Sequence, residues 1–205
     1  MARTPAPGTR ERILTTASRL FYEHGVRAVG MNQVISEAGT GKNLLYSHFP
    51  TKTDLVAAYL ERAREIRTAA TSRAREAAGD TPREQLLALV EEVARTTAHP
   101  RFRGCAFRNY LAEFPDDADL GDADGPPTPA GVARDFLGAT HDELAGLVAD
   151  LGVADPERLL EELVLVVDGL YLQAAYRDRT DRDVAADTAV ELARTLVDTR
   201  TGTAA

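Results

Sequence analysis

The chain has 205 residues, 44% of them hydrophobic, enough to bury a core in one large domain or in a small domain beside a larger one. A single cysteine excludes a disulfide framework, and a formal charge of −8 looks at first unsuited to a nucleic-acid partner. No apolar run approaches a membrane span, and MARTPAPGTRER at the N-terminus has no apolar segment after its arginines, so the expectation is a cytoplasmic protein with no membrane partner.

The charge becomes informative once it is divided. Residues 1–60 carry seven Lys/Arg against four Asp/Glu, a balance of +3; residues 61–205 carry 17 against 28, a balance of −11. Phosphate attraction acts within about a Debye length, roughly 8–10 Å. An acidic body repels DNA except where the N-terminal end is presented, and both lysines, Lys42 and Lys52, lie in that end.

Taken in order, residues 1–8 hold two prolines and a glycine and read as a flexible arm. Ile13, Leu14, Ala17, Leu20 and Phe21 then recur on one helical face, which predicts a helix from Thr9, its cap, to about His24, stopped by Gly25. A second helix is expected from Met31 to Ala38, with Met31, Val34, Ile35 and Ala38 facing inward and Gly39 as its stop. A third opens near Lys42 with Leu45 and Phe49 inward, and Pro50 forces its end. Thr51 and Asp54 have the spacing of a capping box for a fourth helix running to about Ala78, along which Arg62, Arg64, Arg67, Arg73 and Arg75 interleave with glutamates as a solvated face. Further helices are expected at about 82–98, 103–114, 132–151, 156–177 and 181–199, with a loop at 116–131 rich in Asp, Gly and Pro. Nine helices and no strand make an all-α chain.

Two short helices separated by Ala38-Gly39-Thr40-Gly41 have the layout of a helix-turn-helix, which lays its second helix in the major groove. The residues Arg12-Ile13-Leu14, Ala17, Leu20-Phe21, Gly25, Val34, Ala38-Gly39, Leu45-Tyr46, His48-Phe49, Lys52 and Leu55 resemble the N-terminal domain of TetR-family transcriptional regulators over residues 9–60. RGCAFRNYLAEFPDD and DPERLLEELVLVVDGL are similar, more weakly, to the body of one branch of that family. The resemblance implies an all-helical homodimer that binds a palindromic operator and is released by a small-molecule effector. It also divides the chain into an arm (1–8), a DNA-binding domain (9–55) and a ligand-binding and dimerisation domain (56–205), with the last two helices forming a four-helix bundle across a two-fold axis. Three departures stand out: Gly30-Met31 where the family usually has Ser or Thr before the second helix, Thr40-Gly41 where Val-Ser is usual in the turn, and Asn43-Leu44 where Gly-Thr is frequent.

Candidate DNA-binding residues are Met31, Thr40, Gly41, Lys42, Asn43, Leu44, Tyr46, His48 and Lys52. Lys42 suits guanine or phosphate and Asn43 suits adenine; Leu44 either meets a thymine methyl or packs inward. Tyr46 and His48 resemble family positions that touch phosphate, the alternative being packing against the first helix. Lys52 is a phosphate donor at the start of the fourth helix, and backbone N–H groups freed by the glycines could substitute for missing hydroxyls. In the body, Phe107, Tyr110, Phe114, Asp168 and Tyr171 combine aromatic walls with a polar group, as a small-molecule pocket does, although an ordinary helical core has the same makeup. Asp168 interrupts an apolar helix and either orients a ligand or bonds a neighbouring helix.

Cys105 among Arg101, Arg103 and Arg108 is either a redox-sensitive thiol or a buried lone cysteine, and the spacing of His99, Cys105 and His141 does not argue for a metal. No cofactor is expected. The leading reading is a ligand-responsive repressor. The alternatives are a redox-responsive or constitutive DNA-binding regulator and a helical enzyme, the last without any catalytic motif to support it.

Overall fold

The computed structural model describes residues 8–115 and 127–202, so the arm up to residue 7 and most of the Asp-rich loop lie outside the described residues. Among the described residues there are nine helices and no strand: α1 (Thr9–His24), α2 (Met31–Glu37), α3 (Lys42–His48), α4 (Lys52–Ala78), α5 (Pro82–Ala98), α6 (Ala106–Glu113), α7 (Pro129–Asp150), α8 (Pro156–Gln173) and α9 (Arg179–Thr201). The all-α expectation holds. The chain forms two compact units, one running up to Arg64 and including Ala106–Phe136, the other made of Glu65–Cys105 and Leu137 onward.

In the first unit α1, α2 and α3 pack on one another pairwise. The predicted stripe is the core: Ile13, Ala17 and Leu20 of α1, Val34 of α2, and Leu45 and Phe49 from α3 and its cap are all fully or nearly fully buried. Burying each of these side chains larger than alanine is worth about 1.5–3 kcal/mol, which is what holds helices of seven residues that would melt alone. Phe21 and Tyr59 meet in a tilted ring pair at 5.7 Å, fastening α1 to the first turns of α4. The Thr51–Asp54 capping box forms as expected, with Asp54 accepting from the Thr51 amide at 2.9 Å and Thr51 accepting from the Asp54 amide at 3.1 Å.

In the second unit α5, α8 and α9 pack on one another. Leu86, Val90, Leu159, Leu163, Ala193 and Val197 form their apolar centre, joined by Leu144, Leu147 and Val148 of α7. A second capping box, Thr81 with Glu84, starts α5 beside Pro82. Arg83 and Asp198 form a paired bridge at 2.7 and 2.9 Å that ties the start of α5 to the end of α9.

Five local expectations are corrected. Thr9 is not the cap of α1 but its first, buried residue; Gly8 takes the cap position at φ +82 and accepts the Arg12 amide through its carbonyl. The sixth helix starts at Ala106 rather than 103, because Gly104 sits at φ +103 and breaks any helix through it. The seventh starts at Pro129 rather than 132: proline suits a first turn, and Thr128 Oγ1 accepts the Gly131 amide. The eighth ends at Gln173 rather than 177, the chain closing in tight turns from Ala175 to Leu172 and Tyr176 to Gln173. The α4 arginines are not uniformly a solvated face: Arg62 bonds Glu11 and Thr15, Arg67 bonds Thr96, and Arg75 bonds Gln85 and Glu143.

Candidate nucleic-acid interface

The turn between α2 and α3 is built by glycine chemistry. Gly39 adopts φ +58, which lets its amide reach the Ser36 carbonyl at 3.2 Å while the Thr40 amide reaches Ile35 at 3.1 Å. This pair of back-bonds closes α2, and the chain turns straight into α3. Gly30 and Gly41, the caps of α2 and α3, differ from it: both are extended at negative φ, and a Cβ on either would meet nothing within 4 Å. Neither space nor backbone angle requires glycine there, so its effect is to leave the first turn of each helix open to close approach.

On α3 the division of labour is clear. Leu45 and Phe49 anchor the helix inside the unit, and the Arg10 guanidinium covers the Phe49 ring at 4.9 Å. Lys42 and Asn43 are exposed at its start, beside exposed Gly41. Leu44, Tyr46 and His48 are half-buried, as are Met31, Thr40 and Lys52. The Thr40 hydroxyl and His48 Nε2 are buried with no hydrogen-bond partner among the described residues. Burial lowers the pKa of Lys52, and the nearby Glu113 carboxylate opposes that shift. All nine candidate DNA-binding residues therefore fall on α2, the turn, α3 and the entry to α4.

The candidate ligand-binding residues are divided between the two units. Phe107, Tyr110 and Phe114 belong to the first unit, and Asp168 and Tyr171 to the second. Phe107 is buried and stacks on Phe136 at 4.0 Å, while Tyr110 stacks on Phe114 at 4.9 Å. Asp168 and Tyr171 are both half-buried, and Tyr171 lies 6.1 Å from Phe102, ring centre to ring centre. Cys105 is half-buried, between the two alternatives considered for it. Among the described residues no three His, Cys, Asp or Glu side chains gather as metal ligands, and no helix is long and apolar enough to cross a membrane.

Three contacts escaped the sequence reading because their partners are distant in the chain. Arg12 bonds the Ala38 carbonyl, Glu113 accepts the Val26 amide at 2.8 Å, and Arg27 lies 4.6 Å above the Phe114 ring.

Residues 13–59 match the sequence profile of the family described as bacterial regulatory proteins, tetR family. The whole fold superposes on a TetR-family transcriptional regulator from Streptomyces coelicolor with a TM-score of 0.84 and 28% identity, covering 98% of this chain and 93% of that one. The chain belongs to the TetR family. A TetR-type regulator from Streptomyces avermitilis is similar at a TM-score of 0.73 and 29% identity, over 94% of this chain and 97% of its own. The transcriptional activator FasR of Mycolicibacterium smegmatis is 38% identical over 60 residues, a stretch that spans 29% of this chain and only 27% of FasR. The sequence likeness to that relative is thus confined to about a quarter of its length, whereas the structural likeness to the Streptomyces TetR-family proteins runs through both units.

Proposed function

We propose that this TetR-family protein is a transcriptional repressor that binds a palindromic operator as a homodimer and is released by a small-molecule effector. The observation that carries the DNA-binding part is α3: Lys42 and Asn43 are exposed at its start while Leu45 and Phe49 hold it in place. An ammonium and a carboxamide at the start of a rigidly held helix are the groups that read guanine and adenine edges in the major groove. Lys52, Tyr46 and His48 serve as phosphate contacts, and Met31, Thr40, Gly41 and Leu44 complete the reading surface. The two-fold assembly is supported by α8 and α9, which expose Leu165, Leu172, Val184 and Leu192 together with Tyr176 just past α8. Large apolar side chains left on one pair of helices are what a self-complementary interface covers. An effector held by Phe107, Tyr110 and Phe114, or by Asp168 and Tyr171, would act by favouring a dimer geometry that no longer fits two half-sites.

The test is a gel shift against the DNA upstream of the protein's own gene, with a reporter fused to that DNA to give the sign of regulation. Retardation of that fragment with reporter output rising on gene deletion supports repression; falling output makes the protein an activator, as FasR is named. A thermal-shift screen of small molecules follows, since a ligand of the folded protein raises its melting temperature, by an amount that grows with the logarithm of its concentration above Kd. Molecules that raise the melting temperature yet leave the shifted band intact would sink the release step.

A further inference from the structure

The turn joining α1 to α2 is gripped by the end of α6. The Val26 amide donates to Glu113 Oε2 at 2.8 Å, across 87 residues of chain. The carboxylate lies over the bare Cα of residue 25: a Cβ on Gly25 would lie 2.1 Å from Glu113 Oε1 and collide with it as it is placed. Gly25 is also at φ +83, a conformation that glycine alone adopts without strain, so the turn is shaped to admit the carboxylate. The neighbouring residues repeat the grip, with the Arg27 guanidinium 4.6 Å above the Phe114 ring and that ring stacked on Tyr110. Val26 and Val29 are buried on either side of Arg27, which fixes the turn to its own unit. From there the chain enters α2 at Met31 and, one turn later, α3.

We propose that Glu113 is a positioning residue for DNA recognition: its carboxylate holds the α1–α2 turn and thereby sets the placement of the two reading helices. The proposal rests on the DNA-binding reading above and adds to it a group outside the helix-turn-helix. A carboxylate repels phosphate, so this role is not a DNA contact. Glu113 acts through the Val26 amide, and its negative charge opposes the lowering of the Lys52 pKa by burial. A carboxylate that accepts a backbone amide at this distance makes a charge-assisted bond, stronger than a neutral one. The same helix carries Phe107 and Tyr110, so α6 joins the aromatic cluster of this unit to the turn that aims α2 and α3.

The experiment compares the unaltered protein with Glu113→Ala and Glu113→Gln in fluorescence anisotropy. The probes are a labelled duplex selected by the unaltered protein from random-sequence DNA and a scrambled duplex of equal composition. Glu113→Ala is expected to bind the selected duplex roughly tenfold more weakly, the loss that goes with one charge-assisted hydrogen bond, and the scrambled duplex no more weakly. Glu113→Gln keeps an oxygen for the Val26 amide and is expected to stay within about threefold of the unaltered protein. Hydrogen exchange adds a readout that needs no variant: the Val26 amide should be protected in the unaltered protein. An unprotected Val26 amide, Glu113→Ala binding at full strength, Glu113→Gln losing as much as Glu113→Ala, or equal loss on both duplexes would each overturn the proposal. If the unaltered protein selects no duplex, the DNA-binding reading itself fails and this proposal with it, an outcome distinct from the other four.

Discussion

The Arg12 guanidinium donates to the Ala38 carbonyl at 3.1 Å, across 26 residues. Ala38 is the cap residue of α2, where carbonyls lack helical partners and the helix dipole presents its negative end. An arginine in the first turn of α1 thus finishes a different helix, and fastens α1 to the turn that precedes α3. Replacing it with alanine removes one hydrogen bond worth about 1 kcal/mol. The expected result for Arg12→Ala is roughly fivefold faster amide exchange through α2, with the exchange of α5, α8 and α9 unchanged. Uniform acceleration through the whole chain would show that the bond is not local in effect.

Gly25→Ala meets two faults at once, positive φ and a Cβ driven into the Glu113 carboxylate. It should destabilise the protein by about 1–3 kcal/mol in urea unfolding. The two faults separate in a double-mutant cycle: in a Glu113→Ala background the collision is gone and only the backbone strain remains, so the cost of Gly25→Ala should shrink. An unchanged cost would mean that the carboxylate simply moves aside.

On α3, anchoring and reading are expected to come apart. Leu45→Ala, at a fully buried position, should cost about 2–5 kcal/mol of stability. Lys42→Ala, at an exposed one, should leave stability within about 0.5 kcal/mol. It should nevertheless weaken operator binding and relax base preference at one position of the site. Equal weakening on operator and random DNA would reduce Lys42 to a phosphate contact.

The pH dependence follows from carboxylates tied to arginine or to caps. The bond from Arg83 holds Asp198 below its ordinary pKa, the bond from Arg62 does the same for Glu11, and the Thr81 hydroxyl and amide do so for Glu84. A depressed folded-state pKa adds stability that is present above the unfolded value, about 3.9 for Asp and 4.3 for Glu, and lost as pH falls through the folded one. Melting temperature should therefore be flat near neutrality and drop below about pH 4. Asp198→Asn should lower the neutral plateau and make the acid drop shallower; an acid limb identical to that of the unaltered protein would remove Asp198 from the account.

If α8 and α9 form the dimer interface, Leu172→Glu puts a carboxylate on the apolar surface that it covers. The expected outcome is a halved mass by light scattering with the helical circular dichroism retained. A dimer that survives this substitution places the interface elsewhere.

The apolar pattern of the sequence by itself determined the helices. The spacing of Ile13, Ala17, Leu20 and Phe21, the Leu45–Phe49 pair and the Thr51–Asp54 box need only residues three or four apart, and local geometry follows from local spacing. The same is true of the exposed Lys42 and Asn43, which are left over once the inward positions are assigned. Where a helix end depended on a backbone angle or on a cap from outside the apolar pattern, as at Gly104 and Thr128, the pattern overran or fell short. Only tertiary structure decided that Arg12 caps α2, that Phe136 stacks on Phe107, and that Glu113 reaches Val26 past the missing side chain of Gly25. Those contacts join residues tens of positions apart, and no periodicity encodes which distant carboxylate a bare turn will admit. The helix-turn-helix was legible because its chemistry is local; what holds and aims it was not, because the chain must fold before those groups meet.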